Sequence, residues 1–148
     1  MKKENLPIAV IIGVFLVAAA ILFFTIREKS DLQLCRDIFW DLLNGKQSVQ
    51  KYIDWEKFQA IGINVGELYN QLPNASEQAD FRKQLIKSLS MNFKLVGGKP
   101  EAFVDWREVS KEGENTVVSA YYTDKQETIL FTLTGYEKKK LISMQWAV

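Results

Sequence analysis

The chain has 148 residues, with 19 Lys and Arg against 18 Asp and Glu, no histidine and a single cysteine. An internal disulfide, a thiolate metal cluster and histidine-based acid–base catalysis are thereby excluded. The near-neutral charge gives no reason to expect a nucleic acid partner.

The first feature in chain order is residues 6–26, LPIAVIIGVFLVAAAILFFTI, which carry no charge and, apart from Thr25, no side chain able to hydrogen bond. At ~1.5 Å per residue this run is about 30 Å long as a helix, the thickness of a hydrocarbon core, and it predicts a transmembrane helix. Residues 1–5 are then a cytoplasmic tail, 27–30 a linker and 31–148 a single globular domain of about the commonest domain size. Met1-Lys2-Lys3 and the small residues Ala18-Ala19-Ala20 also fit a cleaved secretory signal, but the apolar run exceeds the ~7–15 residues of a signal core, which favours an uncleaved signal anchor. Lys2 and Lys3 stand against Arg27, Lys29, Arg36 and Lys46, so charge does not decide orientation. The short Lys-Lys tail favours a cytoplasmic amino terminus, a single-pass location in the cell membrane and an extracytoplasmic domain.

Ser30 or Asp31 caps a predicted helix with apolar residues Leu32, Cys35, Ile38, Phe39, Leu42 and Leu43 at helical spacing, ended by Gly45. Cys35 reads as a small buried hydrophobe. Residues 48–72 are choppier and fit short helical pieces joined by tight turns; Tyr52, Trp55, Phe58, Ile61 and Ile63 require this stretch to pack over the core as a lid. After Pro73, Asn74 and Glu77 have capping-box spacing at the head of the longest helix. Its buried stripe is Phe81, Leu85, Ile86, Leu89, Phe93 and Val96, and Gly97-Gly98 ends it. Beyond Pro100 the pattern alternates and is rich in β-branched and aromatic residues, predicting strands at 102–110, 116–123, 128–134 and 140–147 joined by short polar loops. The expected fold is α+β: a transmembrane helix, then helices packed on a curved four-stranded antiparallel sheet.

This order of elements, with the aromatic segment Tyr52-Ile53-Asp54-Trp55-Glu56-Lys57-Phe58, resembles the NTF2-like (cystatin-like) α+β cone over residues 31–148. In architecture it also resembles membrane-anchored scaffold subunits of type IV secretion and conjugation systems. The resemblance implies a cone enclosing a pocket, with Trp40, Tyr52, Trp55, Tyr121 and Trp146 as candidate ligand-binding lining residues. Asp105 is the one carboxylate nominated as a base for an isomerase-like or dehydratase-like enzyme. No phosphate loop, nucleophile elbow or metal-ligand cluster is evident, and no cofactor is expected. The expected function is non-enzymatic protein–protein interaction or assembly in a cell-envelope complex, with the bilayer engaged through residues 6–26 and a protein partner or self-association through the domain. A small-ligand or lipid-binding pocket is the alternative.

Overall fold

The computed structural model describes the backbone of residues 8–25 and 29–148, with side chains described at 12–20 and 29–148. Helix α1 covers Ile8–Thr25, 18 residues. At ~1.5 Å per residue it is about 27 Å long, shorter than the ~30 Å hydrocarbon core. Among the described residues no helix is long and apolar enough to cross a membrane, which corrects the expected transmembrane helix at 6–26. The expected tail at 1–5 and half of the linker, residues 27 and 28, lie outside the described residues.

Helix α2, Asp31–Leu43, begins where Ser30 Oγ accepts a hydrogen bond from the Gln33 amide at 3.2 Å, and it buries Cys35, Ile38, Phe39, Leu42 and Leu43. That spacing puts five side chains on one stripe facing the sheet. Gly45 follows at φ +70, in the left-handed region a helix C-terminus uses, and Ser90 Oγ donates to the Leu43 carbonyl at 2.8 Å from the opposing helix. That helix, α4 (Ala75–Leu95), starts as its capping box predicts: Asn74 Oδ1 accepts from the Glu77 amide at 2.9 Å, and Asn74 Nδ2 donates to the Glu77 carboxylate at 3.3 Å. Phe81, Leu85, Leu89 and Phe93 pack onto the core as expected, but Val96 lies past the last helical residue and is 79% exposed.

The sheet has six strands, in the order β2-β1-β6-β5-β4-β3, and is mixed. Four of them, β3 (Phe103–Glu112), β4 (Asn115–Tyr122), β5 (Glu127–Thr134) and β6 (Lys140–Trp146), form the predicted antiparallel meander. The correction concerns the segment read as short helical pieces, which also contributes β1 (Gln59–Ala60) and β2 (Ile63–Asn64). Strand β1 runs parallel to β6, pairing Gln59 with Ser143 and Ala60 with Met144, and β2 returns antiparallel to β1. Two-residue strands are too short to show alternation, so their pairing leaves no periodic trace. The rest of the segment is a 3₁₀ turn at Gln47–Tyr52 and a short helix α3, Val65–Asn70, capped by Asn64.

The core lies between one sheet face and helices α2 and α4. Strand β4 supplies Val118, Ala120 and Tyr122, β5 supplies Ile129, Phe131 and Leu133, and β6 supplies Leu141 and Met144. Phe39 meets the rings of Phe103 and Phe131 at 4.8 Å each, and Trp106 stacks on Phe131 at 5.4 Å. Such edge and offset contacts contribute about 0.5–1.5 kcal/mol per pair beyond area burial.

Candidate functional site

The two ends of the domain differ in chemistry. Thr116 and Tyr122 of β4 are about 20 Å apart at ~3.3 Å per residue. Thr116 meets Asp31 at the start of α2, whereas Tyr122 meets the chain of rings below the end of α2. The amino-terminal entry and the Tyr122 end therefore lie at opposite ends of the domain.

At the Tyr122 end is an open, almost entirely apolar pocket of about 300 Å³. Its walls come from the second half of α2 (Phe39, Leu42, Leu43), the end of α4 (Leu89, Phe93, Val96), and Phe103, Tyr122, Ile129, Met144 and Trp146 of the sheet. Tyr122 stacks on Phe103 at 4.3 Å and lies 6.2 Å from Trp146, giving a continuous aromatic wall. Ile61 and Val96 line the pocket yet are 43% and 79% exposed, so the apolar surface continues outward at its mouth. Polar chemistry enters through Asn92 and Lys125, whose ammonium lies 5.6 Å from the centroid of the Trp146 ring, a cation–π arrangement. Burial pushes the Tyr122 phenol above its usual range, and the nearby Asp124 adds to the shift.

At the opposite end, Asp31 Oδ2 accepts from Thr116 Oγ1 at 2.7 Å and lies 3.6 Å from Lys139 and 3.4 Å from Lys111. Lys139 also donates to the Glu114 carbonyl at 2.9 Å and to Thr116 Oγ1 at 3.1 Å. Burial by itself would raise the Asp31 pKa, but the Thr116 hydrogen bond and the two ammonium groups outweigh it and hold the carboxyl below its usual value. This network ties the first turn of α2 to two loops of the sheet. Beside it is a groove formed by Leu34, Lys51, Tyr52 and the loop residues Glu137 to Lys140.

The residues expected to line one pocket are dispersed. Only Trp146 lines the apolar pocket. Trp40 is half-buried on α2, with its indole N–H buried and lacking a partner among the described residues. Tyr52 belongs to the basic groove, with the Lys51 ammonium 4.9 Å from its ring centroid. Trp55 is buried in the lid, its indole N–H donating to the Gln50 carbonyl at 3.0 Å and its ring beside Phe58 and Tyr69. Tyr121 faces the other side of the sheet, in a polar cleft with Asp105, Arg107, Ser119 and Thr128.

Asp105 is exposed at φ +52, inside a bulge between Val104 and Arg107. The extra residue breaks strand alternation, so Asp105 lies on the face opposite Phe103, in one cleft with Arg107, although residues two apart on a strand ordinarily share a face. Asp105 is open to solvent there and does not reach the apolar pocket. Among the described residues no group of three or more Asp, Glu or Cys side chains is placed to hold a metal ion.

Ile61, Val96 and Lys125 were missed as site residues. Ile61 and Val96 each adjoin a glycine at an element end, a signal that an apolar side chain is presented by a turn instead of a buried stripe. No protein-family model matches this chain, and no curated protein or solved structure is significantly similar to it.

Proposed function

We propose that the chain is a non-enzymatic interaction domain that docks an apolar segment of a protein partner within a cell-envelope assembly, held at a membrane by its apolar amino-terminal segment. The observation that carries this reading is the open apolar pocket with exposed Ile61 and Val96 at its mouth. An apolar surface left to water at a concave site is what partner recognition uses. The pocket lies at the end of the domain remote from Asp31, where the amino-terminal segment enters, so that attachment leaves it open to a partner. Membrane association is supported by α1, whose side chains from Ile12 to Ala20 are all exposed and include no polar group. A helix apolar on every side requires a non-aqueous surrounding. A relationship to NTF2-like domains belongs to the same proposal, supported by helices on one face of a sheet and a pocket at one end.

A photo-crosslinking residue placed at Ile61 or Val96 in membranes should give one adduct of defined mass, absent when the same residue replaces Val109 on β3. Ile61→Glu should abolish the adduct formed from position 96. Equal adducts from all three positions refute the docking site. The small-ligand reading is favoured by one observation, the Lys125 ammonium beside the Trp146 ring in an otherwise apolar pocket, an arrangement suited to an anionic amphiphile. In that case 1-anilinonaphthalene-8-sulfonate would bind with one-to-one stoichiometry and lose affinity in Lys125→Gln and Trp146→Ala.

A further inference from the structure

We infer that the loop 136–140, together with Lys51, is a contact surface for the phosphate groups of an anionic lipid bilayer. The inference rests on the membrane association proposed above and adds a second, electrostatic contact. Lys139 lies 3.6 Å from Asp31 and both bond Thr116, which fixes the loop beside the first turn of α2. Only five residues separate Thr25, the end of α1, from Asp31, so Asp31, beside the loop, is tied to α1 by at most about 20 Å of extended chain. With α1 embedded in lipid, the loop is held within reach of the headgroup layer.

The chemistry presented there suits that layer. Lys51, Lys138 and Lys140 are exposed, and among the described residues none has a carboxylate within salt-bridge distance. Lys139 is neutralised by Asp31, and the groove contains one acidic residue, Glu137, so a positive excess remains. Tyr136 is 79% exposed at the head of the loop, and Tyr52 lines the groove under Lys51. Lysines interleaved with amphipathic aromatic rings are the side chains that settle at a membrane–water interface. A soluble anion would need neither the ring at Tyr136 nor the proximity to α1.

The test uses the full chain reconstituted into vesicles of phosphatidylcholine alone or mixed with phosphatidylglycerol. Flotation is measured first, then acetylation of each lysine by a membrane-impermeant reagent, read by mass spectrometry. Acetylation of Lys51, Lys138 and Lys140 should be at least about threefold slower with phosphatidylglycerol and recover in high salt, while Lys125 at the far end is unchanged. No slowing, or equal slowing at Lys125, in a chain that floats overturns the lipid contact and leaves membrane association standing. Failure to float overturns both. The same protection from inorganic phosphate added to phosphatidylcholine vesicles would identify a soluble-anion site and overturn the inference.

Discussion

Replacing Asp31 with alanine should destabilise the domain by about 3 kcal/mol, and the loss should become smaller in acid. The Thr116 hydroxyl is fully buried, and without Asp31 its proton has no acceptor, which costs about 1–3 kcal/mol. Lys139, whose side chain is 11% exposed, loses its only carboxylate partner among the described residues. At 3.6 Å that attraction is about 4–5 kcal/mol gross at an effective dielectric of ~20, largely offset by the desolvation of both ions. Lys111, at 57% exposure, adds little. Losing a carboxylate from the first turn of α2 removes about 0.3–1 kcal/mol more. The assay is urea unfolding of the full chain in mild detergent, followed by tryptophan fluorescence.

The pH dependence fixes the sign. Asp31 is held below its unfolded value of ~3.9, so the charge-dependent part of its stabilisation is complete above that pH and is lost as pH falls through the lower folded value. The difference between wild type and Asp31→Ala should be constant from neutral pH to about pH 5 and shrink below pH 4. A variant within 0.5 kcal/mol of wild type at pH 7, roughly the scatter of neutral surface changes, would refute the argument. A difference that grew in acid would refute it equally.

Burial raises the Cys35 pKa far above the ordinary thiol range, with the Asp31 charge adding to it, so the thiol should resist maleimide at pH 8 in the folded chain and react on unfolding. Gly66→Ala should cost about 2–3 kcal/mol by denaturant titration, because a Cβ there would sit 2.3 Å from the Glu56 carbonyl oxygen and the strain falls on backbone. Asp105→Gly should be neutral or stabilising by up to about 1 kcal/mol, since it relieves a left-handed conformation on an exposed residue; a loss of stability would point to an unrecognised contact. With Cys35 changed to Ser, a cysteine at exposed Lys111 should be labelled by an impermeant maleimide in intact cells, and labelling only after lysis would place the domain on the cytoplasmic side.

What was legible in the sequence follows the length of each pattern. Helix α2 repeats its apolar spacing over 13 residues and α4 over 21, each with a side-chain cap, so local physics sufficed. The four long strands were visible through alternation and polar turns. Strands β1 and β2 were not, because the pair is held in the sheet by a distant partner: Ala60 is paired with Met144, a contact that no local window contains. The candidate pocket was obscured for the same reason. Aromatic content marked Trp40, Tyr52, Trp55, Tyr121 and Trp146 alike, but facing is decided by which strand or turn holds each ring. A single bulge at Asp105 was enough to overturn alternation locally.

The parallel seating of β1 on β6 leaves the sheet with unequal borders. On one side the outermost strand is β2, only Ile63–Asn64, which offers a neighbouring chain almost no backbone to pair with. On the other is β3, 10 residues long, but broken by two register shifts and carrying Asp105, Arg107, Glu108, Lys111 and Glu112. Short, bulged and charged borders resist strand-to-strand adhesion between copies. At high local concentration, where collisions between copies are frequent, this construction lets many domains stand side by side without fusing into a continuous sheet.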